Sequence, residues 1–534
     1  MQNSKLWWQH GIIYQIYPRS FMDTDGDGIG DLRGIIQKLD YLADLGIDAI
    51  WLSPINPSPD VDFGYDVADY FDIDAKFGSF ADFDSLIKEA HQRDIHIILD
   101  LVLNHTSDQH SWFLESRKTK SNPYHDWYLW RDPSPKGGPP NNWQSVFGGS
   151  GWEYDPQMNQ YYYHMFCKEQ PDLNWHNPQV RETMLNVFRY WLDRGVDGFR
   201  LDVFNMYFKR QNLPDNPVGR RGLRAFDRQQ HLYDVSQPEM IPLLQEIRQI
   251  LDSYQDRYVV GETFLADAQH AIAYIGHDRL HAGFDYSYAN SKWGAKNFRC
   301  AIQKWEALHH PYAWPNYFLN NHDTPRSSTR YAQGEDDARV KLLAAMHLTL
   351  RGTPFLYYGE EIGMRDIKLK RSQIMDPVGK RYWPFNKGRD GCRSPMQWDV
   401  KKNAGFTTGK PWLPLHPDYI SRNVQTQSQN PKSVLAFYKN LIQLRRSHSA
   451  LNDGEIHFFD NVPGQILAYS RQADSEQILV LLNFDKKPAT YEIPGELRAN
   501  SWQILFAQHQ EIGEKIKEVY ITLAPYETML LITL

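Results

Sequence analysis

Three acidic residues follow short strand-like runs that lie far apart in the sequence. Asp202 follows GFRL, Glu262 lies in VVGET, and Asp323 ends NNHD. Neighbouring carboxyl groups, one protonated and one ionised, are suited to cleaving a glycosidic bond as acid and nucleophile. Arg200 stands two residues before the first acid and His322 one before the third. Taken singly, each acid fits a helix cap or an ion pair better, but three together favour a catalytic centre.

Eight strand-like runs alternate with helical patterns along the chain. The predicted strands are Ile12–Tyr17, Ala49–Leu52, Ile95–Val102, Gly198–Leu201, Tyr258–Val260, Ala282–Tyr286, Tyr317–Asn320 and Pro354–Tyr358. The predicted helices between them include Leu32–Gly46, Phe80–Asp94, Val180–Gly195, Glu239–Asp256 and Asp336–Leu350, with apolar residues at three- and four-residue spacing. This alternation is typical of a (β/α)8 TIM barrel, an α/β fold. Because all strands of such a barrel end at one mouth, the three acids should converge there.

Two regions depart from the alternation. The interval after the third strand is several times longer than the roughly 30 residues of one barrel unit, which predicts an inserted, irregular domain over the barrel mouth. After a helix at Val434–Arg446, five strands predict a C-terminal antiparallel β-sandwich: Ile466–Tyr469, Ile478–Asn483, Trp502–Phe506, Val519–Ile521 and Thr528–Ile532. We therefore expect the barrel at 1–104 and 175–454, the inserted domain at 105–174, and the β domain at 455–534.

The composition narrows the class of partner. The 65 acidic against 58 basic residues give a net charge of −7, which argues against a nucleic-acid or anionic membrane surface. No apolar stretch of about 18 residues could span a bilayer, and Met1 to Gly11 lacks the features of a secretory signal. Three cysteines, an odd and small number in 534 residues, cannot form a disulfide framework. We expect a cytoplasmic protein, monomeric or weakly self-associating, with a small substrate and no organic cofactor.

Six ordered motifs carry a family resemblance. They are Asp62–Tyr70 (DFGYDVADY), Asp100–Ser107 (DLVLNHTS), Gln170–Trp175 (QPDLNW), Gly198–Val203 (GFRLDV), Val260–Thr263 (VGET) and Asn321–Arg326 (NHDTPR). From about Trp7 into the C-terminal β domain, the chain resembles glycoside hydrolase family 13, the α-amylase superfamily. Within it, the motifs are most similar to those of the α-glucosidases and oligo-1,6-glucosidases.

The resemblance implies a role for each acid. Asp202 would be the nucleophile that forms a covalent glucosyl intermediate, and Glu262 the general acid and then the base. Asp323 would grip hydroxyls of the distorted ring and stabilise the oxocarbenium-like state. His105 and His322 would hydrogen-bond hydroxyls of the same ring.

The resemblance also implies an exo-acting pocket. Asp62 and Tyr65 match the pair that holds the terminal, non-reducing glucose, the tyrosine as a stacking platform. Arg389, in GRDGCR, matches an arginine that closes the blind end of the pocket with Asp62. Arg393 is expected one step further out.

Further matching positions indicate residues of the pocket wall and the type of glycosidic bond that is cleaved. Phe166 and Gln170 match pocket-lining residues of the subgroup, and Arg200 matches the cation beside the nucleophile. Valine at position 203 accompanies α-1,6 cleavage in the subgroup, whereas threonine or alanine accompanies α-1,4 cleavage. Phe204 departs from the pattern, because Ile or Val is common there. One methyl-sized change is worth about 1–3 kcal/mol, so we expect a preference rather than exclusion.

An acidic loop near the N-terminus resembles a cation site. The segment DTDGDGIGD places carboxylates at Asp23, Asp25, Asp27 and Asp31. The Ile29 carbonyl would be another ligand. Hard oxygens at this spacing favour a structural Ca²⁺, with Mg²⁺ as an alternative, although the bidentate glutamate of an EF-hand is missing. A solvated acidic turn is the remaining alternative.

The sequence therefore predicts an exo-acting retaining α-glucosidase acting on short oligosaccharides, with α-1,6 bonds preferred and α-1,4 bonds possible substrates. A trehalose-6-phosphate hydrolase, a sucrose-acting enzyme or a transglucosidase would use the same acids, and the basic segment 205–237 could admit phosphate. An inactive binding subunit is the non-enzymatic alternative, and the presence of all three acids opposes it.

Overall fold

The computed structural model describes residues 6–219, 221–222, 224–265, 268–308, 313–332, 337–473 and 476–534. Residues 1–5 of the N-terminal segment, 220 and 223 of the basic segment, and Asp336 of one predicted helix lie outside the described residues.

The strands are numbered in chain order. They are β1 Ile13–Ile16, β2 Ala49–Leu52, β3 His96–Leu101, β4 Trp130–Arg131, β5 Trp152–Asp155, β6 Gln160–Tyr163, β7 Gly198–Leu201, β8 Tyr258–Glu262, β9 Ala282–Phe284, β10 Asn316–Phe318, β11 Thr353–Tyr357, β12 Glu455–Phe458, β13 Ile466–Ala473, β14 Glu476–Asn483, β15 Ala489–Glu492, β16 Trp502–Ala507, β17 Lys515–Ile516, β18 Tyr520–Leu523 and β19 Thr528–Thr533.

The α-helices are numbered in the same way. They are α1 Trp7–His10, α2 Leu32–Gln37, α3 Leu39–Leu45, α4 Phe80–His91, α5 Ser111–Ser116, α6 Pro178–Asp193, α7 Met240–Asp252, α8 Ala268–Ile272, α9 Tyr286–Ala289, α10 Ala295–Leu308, α11 Ser327–Tyr331, α12 Asp337–Thr349, α13 Pro377–Tyr382, α14 Val424–Ser428, α15 Val434–Ser447 and α16 Ser449–Asn452.

Eight parallel strands form a nearly closed TIM barrel, which confirms the predicted fold class. Their order is β10-β11-β1-β2-β3-β7-β8-β9, and each predicted barrel strand is present with its ends shifted by at most a few residues. The lumen is filled by aromatic side chains: Trp51, Phe284, Phe318 and Phe355 contact one another at ring-centroid distances of 4.9–6.2 Å. The barrel is therefore a packed core whose mouth, rather than its interior, is free to bind a ligand.

The helices cover the barrel through one apolar face each. In α6, Val180, Met184, Val187 and Trp191 are buried at three- and four-residue spacing. Asn177 caps this helix, its side chain accepting a hydrogen bond from the backbone N–H of Gln179, and a proline occupies the first turn. Within the described part of the chain, no helix is long and apolar enough to cross a bilayer.

The segment between β3 and β7 contains a small antiparallel sheet of order β4-β6-β5 among its loops. Its central strand, β6, contains the aromatic run Tyr161–Tyr163, whereas the sequence predicts only an irregular insertion here. Tyr163 and Trp152 are buried there against Trp143. Short strands of two to four residues in a turn-rich segment leave too little periodicity to be recognised.

The C-terminal region is the predicted β-sandwich. A six-stranded sheet, β12-β13-β14-β19-β16-β17, faces a two-stranded sheet, β15-β18. Tyr491 and Leu523 of the smaller sheet share a buried cluster with Leu479, Leu481 and Leu531 of the larger one. Strands β12, β15 and β17 escape the sequence analysis because they are short and carry exposed polar residues.

The register of two neighbouring barrel strands sets the height of the two principal acids. Arg200 of β7 pairs with Val260 of β8, and Leu201 with Gly261. The next residues, Asp202 and Glu262, are therefore level with each other. Since adjacent strands lie about 4.8 Å apart, the two carboxyl groups rise side by side from the mouth.

Gly261 makes room for the residue that departed from the subgroup pattern. A Cβ at position 261 would stand 2.4 Å from Cε1 of Phe204 and 2.5 Å from Cδ1 of Leu280. The ring of Phe204 is fully buried and packs edge-on against Tyr274 at 5.0 Å. Phe204 thus lies beneath the strand, and a larger residue at 261 would displace it.

We expect Gly261→Ala to lower the free energy of unfolding by about 1–3 kcal/mol, because it overpacks this contact. Chemical denaturation measures the change, and Gly495→Ala is the matched control, since nothing lies within 4 Å of a Cβ there. In a double-mutant cycle, Phe204→Val should cost less stability in the Gly261→Ala background than alone. Additive losses would contradict this packing.

Candidate active site

One buried arginine binds three carboxylates at the barrel mouth. Nη1 of Arg200 donates to Oδ1 of Asp202 at 2.6 Å and to Oδ1 of Asp100 at 2.8 Å, while Nη2 donates to Oε2 of Glu262. Arg200 is wholly buried, and Asp202 and Glu262 are 7% and 5% exposed. Because the two predicted catalytic carboxyls accept from adjacent amino groups of one guanidinium, they flank a single small volume.

The excess of carboxyl groups over cations in this cluster favours retention of a proton. Burial raises the pKa of Asp202 well above its usual range against the opposing effect of Arg200, and the charges of Glu262 and Asp100 raise it further. Burial likewise raises the pKa of Asp100 to about 6. Three ionised carboxyls sharing one cation would leave a net charge of −2 in a low-dielectric site, which favours retention of a proton within the cluster. General-acid catalysis requires such a proton.

Asp323 has a different environment. Oδ1 accepts from Nη2 of Arg393 at 2.9 Å and from Nη1 of Arg389 at 3.2 Å. Burial alone would raise the pKa of Asp323, but His322, Arg389 and Arg393 together hold it well below the usual range. This third acid is therefore ionised at any working pH.

His322 supports Asp323 as a neutral ring. Burial lowers the pKa of His322 to about 3. Its Nδ1 accepts from the Gln15 amide at 2.8 Å, so the ring proton lies on Nε2, which is 3.4 Å from Oδ2 of Asp323. The ring stacks on Tyr65 at a centroid distance of 5.1 Å and lies nearly parallel to the ring of Tyr17 at 6.1 Å.

The far end of the site is closed by Arg389. Nη2 donates to Oδ1 of Asp62 at 2.5 Å, and Nε donates to Oδ1 of Asp376 at 2.7 Å. Asp376 is fully buried and also caps helix α13 through the backbone N–H of Gly379. The guanidinium lies over the ring of Phe147 at 5.4 Å. These contacts form a rigid wall opposite the mouth.

A cavity of about 530 Å³ lies above these groups, within the range of small-ligand sites. The predicted residues that line it are Asp62, Tyr65, His105, Phe166, Gln170, Asp202, Val203, Glu262, Asp323 and Arg389. Arg200, His322 and Arg393 lie behind this surface and hold the lining carboxylates. The wall beside Glu262 and Val203 is largely apolar and includes Phe264, Leu265 and Pro325.

The histidine and glutamine of the wall are held by one backbone carbonyl. Nε2 of His105 donates to the Tyr65 carbonyl at 2.9 Å, and the Gln170 amide donates to the same oxygen at 3.0 Å. Burial lowers the pKa of His105 to about 4, so this ring is also neutral. Phe166 lies 5.2 Å from the His105 ring.

Val203 has an unusual backbone conformation. Its φ of 34° and ψ of 39° lie in the left-handed region, which costs a β-branched residue about 1–3 kcal/mol. The side chain is 5% exposed and packs in a cluster with Phe226 and Met206. The turn directly after Asp202 is thus strained, and it directs the valine methyls into the cavity wall.

The acidic loop brings three of its predicted ligands together. Carboxylate oxygens of Asp23, Asp25 and Asp27 lie within 4.8 Å of one another. Burial raises the pKa of Asp27, and the charges of its neighbours raise it further. Asp31 instead accepts hydrogen bonds from Gly34 N at 2.7 Å and Thr24 N at 2.7 Å, capping α2. The mutual repulsion of three oxygens fits a hard cation.

Three residues of the site were not assigned from the sequence. Asp100 follows the same strand-end pattern as the other acids and could have been found on that basis. Asp376 is the N-cap of α13 and Tyr286 the first residue of α9, and their contacts with Arg389 and Glu262 join residues that are 13 and 24 positions apart without any periodic signal.

Comparison with known proteins identifies this arrangement. The family described as alpha amylase, catalytic domain, matches residues 15–454, and maltogenic amylase, C-terminal domain, matches 456–530. The chain belongs to the α-amylase family. This family is the glycoside hydrolase family 13 that the motifs resemble, and the protein is therefore a glycoside hydrolase.

Several relatives of this α-amylase family member are similar over nearly their whole length. A probable α-glucosidase from Rhizobium meliloti (strain 1021) is 43% identical over 505 residues, 91% of each chain. An oligo-1,6-glucosidase from Parageobacillus thermoglucosidasius is 40% identical over 562 residues, 98% of each chain. A crystal structure of an α-glucosyl transfer enzyme superposes with a TM-score of 0.94 at 39% identity, covering 99% of this chain and 100% of the other.

The wall formed by Arg389 can be tested in this family member. Arg389→Lys keeps the charge but loses the fork that binds Asp62 and Asp376 together. We expect kcat/KM for an α-glucoside to fall by about 10–100-fold, which corresponds to about 1.4–2.7 kcal/mol. Arg422→Lys, which alters an arginine paired with Asp337 away from the cavity, is the control. Equal kcat/KM values for Arg389→Lys and the unmodified enzyme would contradict the assignment.

Proposed function

We propose that the protein is an exo-acting, retaining α-glucosidase that removes terminal glucose from short oligosaccharides. The observation that carries this proposal is the pair of carboxyls on Arg200 in a cavity that Arg389 also lines. With Arg389 and Asp62 closing one end, this cavity would admit one terminal sugar and exclude a continuing chain. Two carboxyls about 5 Å apart suit a double displacement with net retention.

In the first step, an Asp202 carboxylate oxygen attacks the anomeric carbon. A bond forms from this oxygen to the carbon as the bond from the carbon to the glycosidic oxygen breaks. Glu262 gives its proton to the departing oxygen, so the aglycone leaves as a neutral alcohol. Once that proton has moved, Asp202 is an ester and Glu262 a carboxylate, and Arg200 stabilises the new charge on Glu262.

In the second step, water takes the position of the departed alcohol. Glu262, now ionised, removes a proton from this water as its oxygen attacks the anomeric carbon. The bond to Asp202 breaks, and glucose leaves with its original anomeric configuration. Both starting protonation states are restored.

The remaining residues are proposed to bind the sugar ring. Asp323, ionised and held by Arg389 and Arg393, would accept hydrogen bonds from ring hydroxyls and stabilise positive charge as it develops. Tyr65 would stack on the ring face, with His105 and Gln170 beside its hydroxyls and His322 acting through Asp323 from behind the lining. Because both histidines are neutral, they do not compete with the sugar for the charge of the carboxylates.

We propose a preference for α-1,6 over α-1,4 bonds. Val203 presents methyl groups beside Glu262, where the aglycone must lie. The more flexible α-1,6 linkage can carry its second sugar past these methyls, whereas an α-1,4 aglycone would lie closer to them. The left-handed turn at Val203 fixes the methyls in place.

Glucosyl transfer is a second candidate activity. It is favoured by the similarity to a solved α-glucosyl transfer enzyme and by the apolar wall formed by Phe264, Leu265 and Pro325 beside Glu262. An alcohol on that wall could replace water in the second step.

The predicted compartment of the protein is still the cytoplasm. Its three cysteines are free.

We expect the purified protein to release glucose from isomaltose faster than from maltose, by a factor of up to about 200. Initial rates on isomaltose, maltose, sucrose and trehalose-6-phosphate in parallel separate this activity from the alternatives. Asp202→Ala should abolish turnover without loss of fold, whereas Asp252→Ala, which removes a surface carboxylate paired with Arg248, should not. Failure to act on isomaltose, maltose and p-nitrophenyl α-glucoside would contradict the proposal.

We also propose that the acidic loop holds a structural Ca²⁺. Asp23, Asp25 and Asp27 would be ligands, with the Ile29 carbonyl and Asp31 as further predicted ones and Mg²⁺ as the alternative ion. The ion would neutralise repelling carboxylates and fix the loop that lies against residues 407–412, where Thr407 donates a hydrogen bond to Asp23. It would take no part in the reaction.

A thermal melt tests this metal site. Saturation at about 100 times the Kd adds about 2.7 kcal/mol of stability, so we expect Ca²⁺ to raise Tm by a few degrees and EDTA to reverse the change. Asp27→Asn should remove the response, whereas Asp44→Asn, a surface carboxylate paired with Lys439, should retain it. A Tm that is indifferent to Ca²⁺, Mg²⁺ and EDTA would contradict the site.

A further inference from the structure

Glu262 is held on both of its oxygens. Oε2 accepts from Nη2 of Arg200 on the buried side of the carboxyl, and Oε1 accepts from the Tyr286 hydroxyl. Since Arg200 occupies the inner oxygen, Oε1 is the oxygen that remains to serve the scissile bond. Tyr286 lines the cavity, so its hydroxyl stands at the point where the acid meets the substrate.

We propose that Tyr286 is a positioning residue for the general acid, whose hydroxyl orients Glu262 and stabilises the carboxylate that forms when the proton leaves. The inference rests on the proposed function and extends it to a residue outside the three acids.

The fold fixes the position of the Tyr286 hydroxyl. Tyr286 is the first residue of α9, directly after β9, and Asp285 caps that helix by accepting from Ser287 N. The ring packs edge-on against Phe318 of the barrel lumen at 5.1 Å. A side chain fixed at a capped helix start and against a packed core has little freedom, so the hydrogen bond to Oε1 needs no reordering during catalysis.

The hydroxyl acts as a donor. Burial raises the pKa of Tyr286 well above its usual range, and the charge of Glu262 raises it further. Tyr286 therefore keeps its proton while Glu262 changes state. Donation to a carboxylate stabilises its charged form, so the Tyr286 hydroxyl favours release of the proton from Glu262 in the first step. The other charged groups that face Glu262 are Arg200, Asp202 and Asp100, while Asp323 faces Tyr286 itself, and all remain when Tyr286 is changed.

The contribution of the Tyr286 hydroxyl to the rate should depend on the leaving group of the substrate. An isomaltose leaving oxygen needs a full proton from Glu262, whereas a p-nitrophenolate leaves readily without one. Loss of the Tyr286 hydroxyl should therefore affect isomaltose more than the aryl glucoside in the first step. A merely structural contribution would lower both rates alike.

The experiment compares Tyr286→Phe with the unmodified enzyme in pH profiles of kcat/KM. The alkaline limb, which reports loss of the acid proton in the free enzyme, should move to higher pH by roughly one unit. At the optimum, kcat/KM for isomaltose should fall about tenfold, and that for p-nitrophenyl α-glucoside about twofold or less. Tyr288→Phe is the matched control, because it deletes a buried hydroxyl two residues away that contacts His347 at 3.4 Å.

Superimposable alkaline limbs for Tyr286→Phe and the unmodified enzyme would overturn the inference, as would an equal shift in Tyr288→Phe or equal losses on both substrates. Phenylalanine keeps the ring packing, and unchanged Tm values confirm that the fold is retained. If the unmodified enzyme cleaves neither substrate, the proposed function fails instead, so the two failures are distinguishable.

Discussion

The guanidinium of Arg200 is the interaction on which the site depends. It binds Asp100, Asp202 and Glu262 at once, beneath the cavity at the barrel mouth. Without that cation, the like charges of these carboxyls would favour protonation of more than one of them. With it, the cluster can hold a nucleophile and an acid in different states within reach of one bond. A buried charge can be tolerated there because three carboxylates and the face of Trp51, 5.2 Å away, surround it.

The barrel supplies what this arrangement needs. Parallel pairing of β7 with β8 places Asp202 level with Glu262, and pairing of β3 with β7 places Asp100 beside Arg200. Close packing is also needed beneath the site, where the absence of a side chain at Gly261 leaves space for the ring of Phe204. Backbone strain is present at Val203, where the chain turns immediately after the proposed nucleophile. The tight contact between Gly261 and Phe204 and the strained backbone of Val203 are thus two consequences of bringing the strand ends together.

Much of this could be predicted from the sequence, because barrel strands are buried runs bounded by polar residues and their ends define the mouth. That pattern identified all eight strands and placed Asp202, Glu262 and Asp323 at one end. Short strands such as β4 and β17 lack the length to show a period, and they were missed. Tyr286 and Asp376 were missed for another reason. Their roles arise from contacts between different elements of the fold, which depend on the tertiary structure and leave no local signal.

The most direct test of the account is the anomeric configuration of the first product, followed by ¹H NMR during early turnover of isomaltose. Two carboxyls sharing one guanidinium are close enough for covalent attack by Asp202, so the account predicts that α-glucose appears first and then mutarotates. Initial release of β-glucose would mean that a single displacement by water occurs, and it would contradict the arrangement described for Asp202 and Glu262.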